Sequence, residues 1–442
     1  MPRTKELPKV NRLVGLPAEL KVEGLVSHAH CTEVKVSFPP ALRLCPKCGS
    51  TRCVIKDSGR ERTVRHVPCG GSGTLVTFRQ RRYLCRDCGS TYYEPVYWIH
   101  ATVSVTTWLY LRIIAALNTP QSIRRIALDL GITEGIVDAV LESVTLDKPD
   151  FLPETLCIDE FSGESGTYDK ATKRWQVEKF HCILANGDSG FVHDILPKMN
   201  KDFLKPYFMD YPLCERQKVK FVCCDMHGGY ITLAKECFPC ATVCVDPFHV
   251  VRRVSDAMDA VRIQVQHKLQ EAGKTEDYTF LKNCSRLLRT AERNHRKYWA
   301  GKSERNEDRL CRALSLSPDL EEAHEMLQNF LAILDVKEYS LQRLDLGDWI
   351  RKYTASMVPE IASSANTVKH YRGYFQNSLK YHKSNSVAEG RNRAIKEIKR
   401  NSYGRHSFEN FRKRILMAFG PTQVQEETYT IFGEKRASGG RT

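Results

Sequence analysis

Leu156-Cys157-Ile158-Asp159-Glu160 is a short apolar run that ends abruptly in two carboxylates. It follows the proline-containing segment Asp150-Phe151-Leu152-Pro153-Glu154 and precedes Ser162-Gly163. A run this short, bounded in this way, predicts a buried strand. Its apolar residues hide it within a sheet, so an acid at its carboxyl end emerges at the sheet rim, where open α/β sheets place their ligands. A single strand-end aspartate more often caps the next turn. Two further acids downstream turn the preference toward a metal-binding carboxylate.

Alternating segments follow. Residues 173–184 and 190–195 predict two strands joined at Asn186-Gly187-Asp188, a good hairpin turn. Lys198 to Lys205 predicts a helix that Pro206 ends. Val219-Lys220-Phe221-Val222-Cys223-Cys224 predicts a strand closing on Asp225, Tyr230 to Glu236 a helix, and Ala241-Thr242-Val243-Cys244-Val245 a strand closing on Asp246. The order β-β-β-α-β-α-β is that of an RNase H-like fold, in which the first strand lies beside the fourth. Neighbouring strands sit about 4.8 Å apart, so Asp159 and Asp225 can share a metal ion. Asp246, ending the fifth strand, is expected one strand further out, which favours Asp225 as the second ligand.

The third acid is Glu389, within Ser384-Asn385-Ser386-Val387-Ala388-Glu389-Gly390-Arg391-Asn392-Arg393. Ser386 can cap a helix that carries Glu389 at its third position, which a plain capping box would also explain. Beyond it, Arg391, Arg393, Lys396, Lys399, Arg400 and Arg405 crowd one helix and its exit, while Ile395 and Ile398 give that helix a buried edge. A carboxylate among so many cations suits a metal site that grips phosphate. From Arg252 to about Tyr374 the chain turns helical and charged, an apparent insertion into the α/β domain. Trp349 within it reads as a core residue in preference to a base-stacking one.

The whole chain of 442 residues is too long for one ordinary core. Its 67 Lys plus Arg against 52 Asp plus Glu leave a net charge of +15, which points to a polyanion, most simply nucleic acid. No run approaches the roughly 20 apolar residues of a spanning helix, and Met1-Pro2-Arg3-Thr4-Lys5-Glu6 leads into no signal-peptide core. The expectation is therefore no membrane partner and a cytoplasmic protein. Most of the 17 cysteines, such as Cys182, Cys223, Cys224 and Cys244, lie in apolar runs and read as reduced core residues.

Four cysteines differ. Cys45-Pro46-Lys47-Cys48-Gly49 and Cys85-Arg86-Asp87-Cys88-Gly89 form two Cys-x-x-Cys-Gly knuckles, a strong zinc-ribbon pattern, because each tight turn aims two thiolates at one tetrahedral ion. Residues 49–84 separate them, more than the roughly 15 to 20 of a compact ribbon, so a β-hairpin excursion is required. Thr63–Val67 and Val76–Leu84 would supply its strands, with Gly70-Gly71-Ser72-Gly73 at the bend. Cys53, His66 and Cys69 stand as substitute ligands. Arg79, Arg81, Arg82 and Arg86 could touch a DNA backbone or form a solvated face. Trp108 to Leu117 predicts a helix stopped at Asn118-Thr119-Pro120. Ser122 to Leu130, the Gly131 turn and a helix from Thr133 to about Ser143 then form a helix-turn-helix pattern, with Ala127 small at the crossing and Ile132 and Val137 in the shared core. Arg124 and Arg125 are its DNA-binding candidates, although Glu134 to Glu142 is acidic for a groove reader.

The blocks Cys157-Ile158-Asp159-Glu160-Phe161, Cys224-Asp225-Met226 with Tyr230, Phe238-Pro239 through Val245-Asp246-Pro247-Phe248-His249-Val250, and Ala388-Glu389-Gly390 with Ile395-Lys396 and Lys399-Arg400-Asn401-Ser402-Tyr403-Gly404 resemble those of the ISL-three family of bacterial insertion-sequence transposases. The zinc ribbon and helix-turn-helix stand ahead of them in that family's order. The resemblance implies a DDE transposase with the triad Asp159, Asp225 and Glu389 holding Mg²⁺ or Mn²⁺, and structural Zn²⁺ on Cys45, Cys48, Cys85 and Cys88. Family members often carry Asp-Arg-Phe-His where this chain has Asp246-Pro247-Phe248-His249, so Asp246 and His249 are left as structural residues or as lining of the DNA path.

Three carboxylates suit DNA cleavage and joining because two Mg²⁺ ions, about 3.5 to 4 Å apart, activate the attacking oxygen and steady the leaving one. The expected partners are double-stranded transposon-end and target DNA, and two ends imply at least a homodimer. The expected architecture is multidomain α/β: a zinc ribbon over 1–100, a helix-turn-helix over 101–150, an RNase H-like domain over 151–252 and 376–420, a helical insertion over 253–375, and a tail over 421–442. Two rivals remain, a non-catalytic DNA-binding regulator and an RNase H-like structure-specific nuclease.

Overall fold

The computed structural model describes residues 15–16, 19–28, 31–39, 44–69, 71–169, 174–291, 294, 305–401 and 407–421. Gly70 of the expected bend, Arg405 and nearly all of the 421–442 tail lie outside the described residues. The chain divides into two compact units, one of Met1–Lys148, Ser162–Lys179 and Asn392–Thr442, the other of Pro149–Phe161 and Phe180–Arg391.

In the first unit, β1 (Lys21–Ser27), β2 (Cys31–Ser37), β3 (Cys53–Cys69), β4 (Ser72–Cys85) and β5 (Thr91–Tyr93) form a sheet in the order β1-β2-β4-β3, with β5 also on β4. The long β3–β4 hairpin is the excursion that the wide cysteine spacing demands. It runs further than the two short strands expected, from the Cys53–Cys85 pair to the Cys69–Ser72 pair, because irregularities near Asp57 absorb the mismatch in length. At one of them Gly59 has φ +67°, and a Cβ there would collide with the Gln80 carbonyl oxygen at 1.7 Å, so only glycine fits. Val22, Val34, Val36, Val64, Val76, Phe78 and Trp98 make the core of this sheet.

Three helices follow, α1 (Thr107–Leu117), α2 (Ile123–Asp129) and α3 (Glu134–Ser143). Thr106 and Ser122 cap the first two with their hydroxyls. Gly131, at φ +60°, makes the turn between α2 and α3. Ile113, Ile126, Ala127 and Val137 pack together in their core, with Ile132 partly buried against it. Part of the chain's far end completes this core: Met417 joins it from the helix Phe408–Phe419. The buried Arg414 guanidinium there donates to the carbonyls of Leu117, Thr119 and Gln121, the open carboxyl end of α1 and the loop after it.

A second sheet, in the second unit except for residues 162–169 and 174–179, is formed by β6 (Thr155–Asp169), β7 (Arg174–Asn186), β8 (Val192–Leu196), β9 (Phe221–Cys224) and β10 (Thr242–Val245) in the order β10-β9-β6-β7-β8. β6, β9 and β10 are mutually parallel, and β7–β8 is an antiparallel hairpin. The first strand thus lies beside the fourth. One boundary differs from expectation: β6 runs to Asp169 instead of stopping at Ser162-Gly163, with β7 as its hydrogen-bonded neighbour in the sheet. Between these strands lie α4 (Lys201–Met209), α5 (Leu213–Lys218) and α6 (Gly228–Cys237). Pro206 sits inside α4 and does not end it, since the helix continues to Met209.

A helical stretch follows: α7 (Pro247–Glu271), α8 (Thr275–Asn283), α9 (Ser285–Arg289), α10 (Asn306–Leu314), α11 (Pro318–Asp335), α12 (Tyr339–Thr354) and α13 (Pro359–Tyr381). These helices share one apolar core with the sheet, from Leu156 and Ile158 through Val254 and Met258 to Phe330 and Phe375. Trp349 is a core residue, its Nε1 donating to the Met326 carbonyl at 2.9 Å and its ring 4.9 Å from that of Phe330. α13 outruns the expected boundary at 375. Asn377 Nδ2 and Ser378 Oγ donate to the carbonyls of Val243 and Val245 at 2.9 and 2.6 Å, which fastens the end of the helix to β10. The last helices are α14 (Ser386–Asn401) and α15 (Phe408–Phe419).

Candidate functional site

Two sites stand out, one in each unit. At the base of the β3–β4 hairpin the two knuckles repeat each other: Gly49 and Gly89 donate to the carbonyls of Cys45 and Cys85 at 2.9 and 3.0 Å, and both glycines take φ +71°. The sulfurs of Cys45, Cys48, Cys85 and Cys88 all lie within 4.8 Å of one another. The Ser90 hydroxyl, ahead of backbone N–H groups, holds the Cys45 thiol down at about 6, in reach of its metal-binding thiolate form at neutral pH. The substitutes fall elsewhere: Cys53 packs beside the cluster, His66 bonds Thr106 at 2.8 Å, and Cys69 pairs with Ser72 at the hairpin's opposite end. Arg81 is spent on the buried Glu94 carboxylate at 3.1 Å, so it is not a free cation for DNA.

The second site follows from strand register. Cys157 of β6 pairs with Cys223 of β9, and Cys223 pairs with Cys244 of β10. Two residues further along each strand, the same level carries Asp159, Asp225 and Asp246. In parallel strands such residues share one face, so three acids stand in a row where the β6–β9–β10 ladder ends. Asp246 does lie one strand beyond Asp225, since β10 flanks β9 on the side away from β6, yet it belongs to this row because the short β10 stops level with β9; the Asp246 N–H reaches the Cys224 carbonyl at 3.0 Å.

Glu389 joins the row from α14. His249, in the first turn of α7, places its Nε2 3.2 Å from Asp225 Oδ1 and 3.3 Å from Glu389 Oε1. Ligand atoms of Asp246, His249 and Glu389 lie within 4.8 Å of one another. Pro247, which departs from the family's Asp-Arg-Phe-His, occupies the first position of α7, where a proline lacks nothing the helix needs. Glu389 is not part of a capping box. Its carboxylate faces His249, its N–H donates to the Asn385 carbonyl at 3.1 Å, and the helix starts at Ser386, which leaves the cap position to Asn385.

Asn385 is fully buried and fastens α14 to the three strand ends. Its N–H donates to Asp246 Oδ1 at 2.9 Å and its Nδ2 to the Ile158 carbonyl at 3.2 Å, and the nearby side-chain amide favours the charged form of Asp225. Nearby, Lys383 is anchored to Thr155 Oγ1 and Asp188. Replacing Asn385 by Ala should cost about 1–3 kcal/mol, since it strands a buried carbonyl and loosens the segment carrying Glu389. Thermal denaturation alongside a cleavage assay checks this; unchanged values in both would show that the segment holds itself.

Crowding sets the electrostatics. Burial first, then the Asp225 carboxylate, pushes Asp159 up to about 7. Burial, then Asp246 and Glu160, likewise pushes Asp225 up to about 7. Asp225 Oδ1 and Asp246 Oδ2 are buried without a hydrogen-bond partner, His249 lying within ion-pair distance of the former but out of alignment. Buried carboxylate oxygens without a hydrogen-bond partner are the donor set that a hard divalent cation satisfies.

The expected cationic residues divide. Arg124 and Arg125 are exposed on α2, and Arg125 pairs with Asp129 at 3.0 Å. Arg391 donates to the Gly190 carbonyl at 2.6 Å, Lys399 to that of Ser162 at 3.2 Å, and Arg400 pairs with Glu397 at 2.8 Å. Arg393 and Lys396 are exposed.

Comparison with known families bears on both sites. A family model for the ISL3-type DDE transposases, described as "Transposase", matches residues 156–415, which include every acid of the second site. The chain belongs to the ISL3 transposase family. The transposase also matches, over residues 41–88, a model described as the zinc-finger of the transposases IS204, IS1001, IS1096 and IS1165. It is 24% identical over 392 residues, 85% of this chain and 88% of the relative, to the transposase for insertion sequence element IS1001 of Bordetella parapertussis. All the transposase's cysteines are free thiols, as a zinc-binding chain needs. Among its described residues no helix is long and apolar enough to cross a membrane.

Sequence reasoning left Asp246 and His249 as structural residues or lining of the DNA path and passed over Asn385. The signal for the first two was an acid ending a strand, with a histidine three residues on in the first turn of the next helix, a spacing that turns both toward one point. Asn385 carried no local signal.

Proposed function

We propose that this transposase cuts and rejoins DNA at the ends of its element, using divalent ions held by Asp159, Asp225 and Glu389. The observation that carries the reading is the level row of Asp159, Asp225 and Asp246 at the end of three parallel strands, completed by Glu389 through His249. The strand order with β6 beside β9 supports an RNase H-like catalytic domain. When bound, the divalent ions would activate the attacking oxygen and steady the leaving one. The chain's residues supply the setting: Asp159 and Asp225 bring charge to the strand ends, His249 spans the second and third acids, and Asn385 fixes α14 in place. Asp246 positions the segment by accepting the Asn385 N–H on Oδ1, and its Oδ2 stays open to the ions.

The zinc ribbon and the α1–α3 helix-turn-helix would bind the terminal repeats and the DNA backbone, with Arg124, Arg125, Arg393 and Lys396 as contacts. Arg391, Lys399 and Arg400 would act in the same stretch once DNA competes for their present partners. Pairing two ends calls for at least a dimer. The test uses purified protein and duplex DNA carrying the sequences that flank its gene. Nicking in Mg²⁺ but not Ca²⁺, followed by joining of the freed 3′ end to a second duplex, is expected. Binding without nicking would leave a DNA-binding regulator, and nicking without joining a nuclease.

A further inference from the structure

The geometry points to a second phosphate site: a recess between α12 and α13 that holds a backbone phosphate of duplex DNA, built from residues with no part in the acid centre. The identity of the polyanion rests on the reading of the chain as a DNA-cutting protein; the anion site itself does not.

The recess has a volume of about 340 Å³. From α12 it is lined by Arg343, Gly347 and Arg351, spaced four residues apart and therefore stacked on one face of the helix. From α13, Lys369 and Arg372 face them. The one carboxylate in the lining, Asp348, is already paired with Arg351. Among the described residues Arg343, Lys369 and Arg372 have no ion-pair partner, and Arg372 Nε is buried with no hydrogen-bond acceptor. Gly347 makes the space: a Cβ there would stand 3.2 Å from an Arg372 terminal nitrogen.

Three unneutralised cations around one opening, one of them with an unmet buried donor, repel each other unless an anion arrives. Guanidinium forks match the oxygens of phosphate. The walls are aliphatic, Leu344 and Ile350, with no aromatic ring to hold a base. A nucleotide would leave its base without a platform, whereas a backbone phosphate needs none. The expected contact is therefore indifferent to sequence and sensitive to salt.

The double variant Arg343→Ala/Lys369→Ala tests this, because both side chains are exposed and neither carries the fold. Arg372→Ala is the companion. Binding of a fluorescent duplex is measured between low and physiological salt, with circular dichroism as the folding control. Each lost phosphate contact should reduce the slope of log affinity against log salt by about 0.9 and weaken binding by roughly 3- to 10-fold on every sequence tried. An unchanged slope and affinity in the folded variants, with metal-dependent nicking intact, overturns this site and leaves the function standing. Inorganic phosphate titrated into the wild-type chain separates the sources. A rise in melting temperature that the variants lose, with their DNA slope unchanged, would assign the recess to free phosphate and overturn the DNA contact. A reduced slope in variants of a protein that fails to nick would uphold the site and sink the proposed activity.

Discussion

Asp159→Asn is expected to abolish metal-dependent DNA cleavage while DNA binding survives, and the same holds for Asp225→Asn. Loss of one carboxylate from a shared metal site removes several kcal/mol of transition-state stabilisation, so the rate should fall on the order of 10³-fold or more. The asparagine keeps the shape of the aspartate, and its Oδ1 can still accept the Glu160 N–H that reaches Asp159 Oδ1 at 2.8 Å. The variant therefore folds, and its effect on stability separates a charge defect from a structural one. Asp159 ordinarily titrates at 3.8, but in the folded protein it is held up to about 7. Below 3.8 folded and unfolded chains both carry the proton. Between 3.8 and about 7 the unfolded chain ionises freely while the folded one resists, so the aspartate costs stability progressively as pH rises; above about 7 the cost levels off. Metal-free Asp159→Asn should thus match the wild type at pH 4 and melt above it by pH 7, the ceiling being about 4 kcal/mol. Mg²⁺ should close that gap by stabilising the wild type alone. Cleavage retained in both single variants, or a melting difference that does not grow with pH, would refute the assignment.

The strand-end acids were legible in part, and the missing part has a definite cause. Asp159 and Asp225 could be found because each closes an apolar run, and the rim of a parallel sheet is the one place such an acid can face a ligand. Asp246 closes a run of the same kind, yet whether it stands level with Asp225 depends on the Cys223–Cys244 register, which no local pattern encodes. Glu389 announced itself through the cations after it, but its partner His249 lies 140 residues earlier in sequence, and only folding of α7 and α14 onto the strand ends joins them. The cysteine knuckles were the easiest to read, since tetrahedral coordination dictates the spacing within each pair. Charges were the hardest. Arg81, Arg125 and Arg400 look free in the sequence, yet each is held by an acid, two of them within their own helix.

Removal of zinc should have the second large effect, confined to the ribbon. Cys85→Ser deletes a fully buried ligand at the end of β4, and in structural zinc sites the metal-binding energy is folding energy. Without the ion, the knuckles at Cys45 and Cys85 retain their own backbone bonds, the exposed contacts of Asp87 with Ser50 and Arg52, and a small apolar cluster of Cys53, Tyr83 and partly buried neighbours. The variant should lose its zinc and open the base of the β3–β4 hairpin to protease. The Val34, Val76 and Trp98 core further along the sheet has no share in the cluster and should hold. The acid centre belongs to the other unit, so metal-dependent nicking of arbitrary duplex DNA should persist while preference for the element's ends falls, on the order of 10³-fold if the ribbon carries most of that preference. Zinc content, limited proteolysis and competition between end-containing and arbitrary duplexes measure the three consequences. Full end preference in a zinc-free, protease-sensitive variant would move recognition to α1–α3 alone.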